Sequence, residues 1–242
     1  GFFKRNVVFV KGALPGEEVT AQVTKISRNF AEASVLNIRK ASPYRQEAPC
    51  PVYEECGGCQ LQHMTYEGQL NEKRDIVMQA LEKYVRNVAE TTGVRPTLGM
   101  ENPWNYRNKS QFQVRQEGKR VYAGLFAEGS NKLLNINDCL VQQEVTSKVT
   151  VATRKALQKL NIPIYDGKTL SGLVRTIVVR TGVRTGETQV CLVTTRNELP
   201  KKEEISWRAA GDEIPPKPLE GEVVVLLDHV TRGLRPPGSA FF

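Results

Sequence analysis

The sequence has no apolar run near the roughly 20 residues that cross a bilayer, and its mean hydropathy is −0.38. It opens Gly1-Phe2-Phe3-Lys4-Arg5, without the charged n-region and apolar h-region of a secretion signal. The expected location is therefore the cytoplasm, with no membrane partner. Histidine is scarce: with only His63 and His229, no Ser/His/Asp or Cys/His nucleophile arrangement can be assembled. No G-x-G-x-x-G opens a helix after a strand. Gly167-Lys168-Thr169 resembles the end of a phosphate loop, but the position five residues earlier that needs glycine is Ile162. Internal repeats and low-complexity tracts are also missing. These absences leave no catalytic centre in view.

What is present points to a binding platform. At 242 residues and 40% hydrophobic content the chain suffices for one large domain or two small ones. A net charge of +8, from 34 basic and 26 acidic residues, favours a polyanionic partner. The five cysteines are unevenly spread. Three of them, Cys50, Cys56 and Cys59, fall within ten residues as C-x5-C-x2-C, with Gly57-Gly58 before the last. The glycines are expected to let the backbone turn tightly enough to aim three sulfurs inward. An odd cysteine count without a secretion signal disfavours disulfides and favours metal.

A fourth ligand is expected from Cys139, in a polar loop-like setting, rather than from Cys191, which sits in the strand-like run 188–194 and reads as packed core. Structural zinc usually takes two pairs of ligands from two knuckles, whereas three thiols from one loop and one from 80 residues downstream favour a 4Fe-4S cluster. Zinc is the alternative, and His63 is the alternative fourth ligand.

Along the chain, short strand-like runs at 7–10, 18–24 and 31–36, with turns at 12–16 and 27–29, predict a small β-barrel over residues 1–41. Lys4, Arg5, Lys11, Lys25, Arg28, Arg39 and Lys40 decorate it, with Phe2, Phe3 and Phe30 among them. Cations beside aromatics suit single-stranded nucleic acid; equally, the rings fill the barrel and the charges keep it soluble. A helix is predicted at 66–84, its apolar side packing on the cysteine-bearing domain, and a second at 144–160. Strands are predicted at 110–114, 121–126, 173–180 and 188–195, the last two joined by a hairpin at 182–187. The fold class is α+β. Beyond Pro200 only 222–228 reads as a strand.

Three segments carry a family resemblance. Ala48-Pro-Cys-Pro-Val-Tyr-Glu-Glu-Cys-Gly-Gly-Cys-Gln-Leu-Gln-His-Met-Thr-Tyr-Glu-Gly-Gln-Leu70 resembles the iron–sulfur segment of bacterial 23S rRNA (uracil-5-)-methyltransferases. Pro96-Thr-Leu-Gly-Met-Glu-Asn-Pro-Trp-Asn-Tyr-Arg-Asn-Lys-Ser110 resembles the opening of their central domain, and 173–187 their later strand pair. The likeness covers about residues 1–199.

The resemblance implies a TRAM domain, an OB-like RNA-binding barrel, at 1–41, an iron–sulfur and RNA-binding central domain at 42–199, and a tail at 200–242 with possible remnants of a Rossmann-like methyltransferase lobe. It implies a 4Fe-4S cluster on Cys50, Cys56, Cys59 and Cys139 that serves structure and RNA docking rather than redox chemistry. It also implies S-adenosylmethionine as methyl donor: a cysteine thiolate adds to C6 of a flipped-out uracil, C5 attacks the methyl group, and a base removes the C5 proton.

The family's Phe-x-Gln-x-Asn, Asp-Pro-Pro-Arg and Ser-Cys-Asn-Pro motifs do not occur in these residues, Arg235-Pro236-Pro237 being at most a faint echo. The chain is thus expected to be part of a longer enzyme, with catalytic and S-adenosylmethionine-binding residues unassigned. RNA contacts are expected from Arg107 and Lys109, which follow Trp104 and Tyr106, and from Lys4, Arg5 and Arg28. A monomer acting on 23S rRNA is the leading expectation. A non-catalytic iron–sulfur or zinc RNA-binding scaffold is the alternative.

Overall fold

The computed structural model describes residues 1–3, 6–85, 87, 93–196, 198–202, 204, 205, 209 and 223–229. The chain divides into two compact units, one made of 1–49 and 60–99, the other of 50–59 and 100–242. The cysteine loop therefore belongs to the second unit, and the helix that follows it in sequence belongs to the first. Secondary structure is mixed, as the α+β reading requires.

In the first unit β1 (Phe2–Phe3), β2 (Asn6–Lys11), β3 (Glu18–Ile26) and β4 (Phe30–Lys40) form one sheet in the order β1-β2-β4-β3. β2 and β4 run parallel, while the other neighbours are antiparallel. The β3–β4 ladder shifts register three times, at 18/19, 20/21 and 23/25, and such bulges increase local twist. The turn between β2 and β3 is shaped by Gly12 and Gly16, both at positive φ. It is fastened from within by Glu17, whose fully buried carboxylate accepts N–H bonds from Leu14 and Ser42 and from the Arg45 guanidinium.

α1 spans Tyr66–Glu82, starting where Thr65 Oγ1 accepts the Gly68 N–H at 3.2 Å. Gly68 is the helix's buried residue, pressed against Tyr44. On α1, Leu70 is half-buried, whereas Ile76, Val77 and Leu81 are exposed. Periodicity located the helix correctly; burial depends on what lies opposite, which periodicity does not encode.

The second unit holds β5 (Lys109–Glu117), β6 (Arg120–Phe126), β7 (Leu133–Asn135), α2 (Glu144–Lys159), β8 (Val174–Thr181), β9 (Thr188–Thr194) and β10 (Val223–His229). The sheet order is β10-β9-β8-β5-β6-β7, antiparallel except for the β9–β10 pair. Alternation sends Phe112, Val114, Ile177, Val179, Val190 and Leu192 to a face covered by Val149 and Leu157 of α2. Gly124 in β6 is forced by a close approach, since a Cβ there would lie 1.8 Å from the Leu134 carbonyl oxygen in β7.

Hydroxyl groups cross this core. Ser110 meets Thr150 at 3.0 Å, Thr146 meets Thr181 at 3.2 Å, and Thr181 meets Thr188 at 3.2 Å, while Thr150 also donates to the Thr146 carbonyl. All five residues are buried. They tie α2 to β5, β8 and β9 in a way that apolar packing alone would not register. Thr146→Val, which removes the α2 hydroxyl bonded to Thr181, is expected to lower unfolding free energy by about 1–2 kcal/mol in urea melts, with the fold retained.

Candidate functional site

The four cysteines expected as ligands all lie within the second unit, half-buried, as free thiols. The loop 50–59 is held to the connection after β6. Cys56 bridges to Ala127, the Glu128 N–H donates to the Glu55 carbonyl at 3.0 Å, and Lys132 pairs with Glu55 at 2.8 Å. Within the loop, the Cys56 N–H donates to the Val52 carbonyl at 2.8 Å and the Gly58 N–H points at Cys56 Sγ at 3.4 Å. The reason for glycine differs from the expected one. Neither Gly57 nor Gly58 sits in the left-handed region. A Cβ on Gly58 would instead lie 3.1 Å from Leu125 Cδ1 and 3.3 Å from Cys56 Sγ, so glycine at 58 lets the loop lie close on β6 without displacing these side chains.

Cys139 arrives by a different route. Asn105, at positive φ, turns the chain so that segment 105–107 runs beside 140–143. The Asn105 N–H donates to the Leu140 carbonyl at 2.9 Å, the Arg107 N–H to Val141 at 2.8 Å, and the Gln143 N–H to Arg107 at 2.9 Å. Cys139 packs against the hydrophobic core, as does Cys56. Burial pushes both thiols above their ordinary values; neighbouring thiols add to this, and the charge of Arg107 opposes it at both. At Cys56 the added push comes from Cys59 and Cys50; at Cys139 it comes from Cys59, while the N–H groups of Val141 and Gln142 pull the other way. Cys59 and Arg107 thus act on both Cys56 and Cys139.

Among the described residues no three His, Cys, Asp or Glu side chains converge tightly enough to hold a single metal ion. The donor set itself is nonetheless suited to an anionic iron–sulfur core. It is all sulfur, it receives backbone N–H bonds, and it has Arg107 alongside.

Arg107 is therefore placed by the pairing of two loops beside the cysteines, a position sequence reasoning did not foresee. From the stretch 104–108 Arg107 was expected only as an RNA contact beside Trp104 and Tyr106. Lys109 is exposed at the start of β5, opposite Arg180 of β8. Arg28 is exposed in the turn between β3 and β4. Lys4 and Arg5 lie outside the described residues, as do 215–218 and 235–237. Cys191 is on β9 as expected, but half-buried on the face away from the Val190 and Leu192 core.

A TRAM domain model matches residues 3–36. Among curated proteins, an RNA methyltransferase of Bacillus anthracis, described as uncharacterized, is 60% identical over 204 residues, which is 84% of this chain and 44% of that protein. One from Listeria monocytogenes serotype 4b is 56% identical over 206 residues, 85% of this chain and 45% of its own length. One from Enterococcus faecalis is 45% identical over 230 residues, 95% and 49% respectively. The chain spans about half the length of these curated relatives.

Among solved structures, Pyrococcus abyssi tRNA (uracil-54, C5)-methyltransferase, in complex with S-adenosyl-L-homocysteine, superposes with a TM-score of 0.59 at 24% identity. The match covers 82% of this chain and 44% of that one. That likeness is one of fold. The chain thus carries a TRAM-domain match at its start and is similar, over about half of their length, to proteins named RNA methyltransferases.

Proposed function

We propose that this chain is the RNA-docking and iron–sulfur portion of an S-adenosylmethionine-dependent enzyme that methylates uridine C5 in 23S ribosomal RNA, working as a cytoplasmic monomer. The observation that carries the reading is that Cys50, Cys56, Cys59 and Cys139 lie in one unit of a chain whose relatives are named RNA methyltransferases. The uracil-C5 chemistry is supported by the Pyrococcus abyssi tRNA (uracil-54, C5)-methyltransferase, which shares the fold. The choice of 23S rRNA over tRNA rests on the cysteine segment's resemblance to the ribosomal enzymes.

Cys50, Cys56, Cys59 and Cys139 would hold a 4Fe-4S cluster. Its chemistry would be that of a cross-link, joining residue 139 to the loop at 50–59 without cycling electrons. The chain's own residues then divide the work of docking. Arg107 offsets negative charge at the thiolates and, with Lys109 and the neighbouring Arg180, presents cations to phosphate. The TRAM sheet, Lys4, Arg5 and Arg28 included, offers a second basic surface. Domain limits of 1–41, 42–199 and 200–242 belong to the same proposal. No residue of this chain is assigned to the methyl transfer itself.

The test is nucleoside mapping. Deleting the gene is expected to remove 5-methyluridine from at least one position of 23S rRNA, read by mass spectrometry of nuclease fragments, with tRNA unchanged. Loss from tRNA instead would move the substrate to tRNA. No loss from either would favour a non-catalytic RNA-binding scaffold.

A further inference from the structure

On the TRAM sheet, composition leaves two roles open for the aromatic residues, and burial decides between them. The parallel β2–β4 register sets Val7 opposite Phe30, Phe9 opposite Glu32 and Lys11 opposite Ser34. Alternation therefore puts Val8, Val10, Ala31 and Ala33 on one face, where Ala33 is 3% exposed. Val7, Phe9, Lys11, Phe30 and Glu32 share the other. Phe9 is 60% exposed. Its ring meets that of Phe30 edge to face, with centroids 5.6 Å apart and planes at 75°. Phe9 does not fill a core. With the half-buried Phe30 beside it, it forms a small aromatic ridge, and an edge-to-face pair leaves one ring face open.

Charge borders the ridge. Arg28 stands exposed in the turn two residues before Phe30, a turn closed by the Ser27 N–H on the Phe30 carbonyl at 2.9 Å. Lys11 is exposed at the end of β2. The carboxylate on this face, Glu32, is paired to Lys25 at 3.5 Å, which offsets its repulsion of phosphate. Such a ridge flanked by cations matches unpaired nucleotides: bases stack on rings, and phosphates meet the cations. A duplex keeps its bases stacked internally and offers no such partner.

We infer that the Phe9–Phe30 ridge is a stacking platform for single-stranded RNA, with Arg28 and Lys11 gripping the flanking phosphates. The inference rests on the proposed RNA substrate and assigns it to one face of one sheet. The partner is an unpaired segment, not a helix, of the RNA.

The intact chain is titrated, by fluorescence anisotropy over a series of salt concentrations, against a labelled oligouridylate of about 12 nucleotides and a duplex of equal length. Phe9→Ala and Phe9→Leu are expected to weaken single-strand binding roughly tenfold at every salt concentration, without changing the salt slope. Phe9→Tyr, which keeps a ring, is expected to bind like the wild type. Arg28→Gln is expected to reduce the slope of log affinity against log salt by about 0.7, the share of one phosphate. Circular dichroism checks that each variant is folded. Wild-type affinity in Phe9→Ala, or an equal loss of duplex binding, overturns the platform while leaving RNA binding intact. Failure of the wild type to bind either probe overturns the RNA reading beneath it.

Discussion

Cys139→Ser is expected to strip most of the iron from anaerobically purified protein, taking inorganic sulfide and the visible charge-transfer absorbance with it. Cys139 is the one expected ligand from outside the loop, and it directly precedes the segment 140–143 that pairs with 105–107. With a serine there, three thiols remain on a ten-residue loop whose ties include a Cys56–Ala127 bridge, a backbone hydrogen bond from Glu128 to Glu55 and an exposed Lys132–Glu55 pair. An exposed ion pair contributes at most about 1 kcal/mol, whereas ligation of a structural metal contributes on the order of 10 kcal/mol. The loop should then become the first site of proteolysis. Asn105→Ala is a milder probe of the same geometry, since it removes the residue suited to positive φ at the turn. Iron and sulfide analysis with protease mapping checks both. Unchanged iron per chain in Cys139→Ser would give the fourth position to His63 or Cys191; a colourless wild type carrying zinc would replace the cluster with a zinc site.

The strands and helices were legible in the sequence because each rests on a local pattern. Runs such as 110–114 and 188–195 alternate, 144–160 repeats at helical spacing, and Gly182 and Gly186 close the hairpin as expected through Gly182 N–H to the Glu187 carbonyl at 2.8 Å. The cysteine spacing suggested a ligand set, which remains part of the proposal. What stayed hidden depends on partners distant in sequence. Nothing around Arg107 indicates that it will pair with Val141 and Gln143. Nothing in α1 tells that Ile76, Val77 and Leu81 are exposed, and nothing in Glu17 or Arg45, 28 residues apart, marks them as partners. Phe9 is an intermediate case. The alternation of Val8 and Val10 with Phe9 and Lys11 places the ring outward, but only the buried Ala33 tells which face is the inner one.

Glu17→Gln is expected to cost the TRAM unit about 3 kcal/mol at neutral pH and to abolish most of its acid sensitivity. Glu17 is a fully buried carboxylate, and the Arg45 hydrogen bond, helped by the N–H groups of Leu14 and Ser42, holds its pKa near 2 against an ordinary 4.5. A folded-state pKa below the unfolded one means that the unfolded chain binds the proton first. The contribution is therefore fully present above about pH 4.5 and is lost as pH falls through about 2. The gap between those values, at about 1.4 kcal/mol per unit, gives the magnitude. The variant keeps the shape of the side chain but leaves the Arg45 guanidinium without its carboxylate, which is the costly way to break such a pair. Replacing both partners, as in Glu17→Gln with Arg45→Met, should therefore recover part of the loss. Urea melts near neutral pH and near pH 3, with hydrogen exchange read on peptides from 1–49, separate these cases. A wild-type profile flat across that window would mean that the turn between β2 and β3 is held by its glycines and backbone bonds, and that the buried pair adds orientation rather than stability.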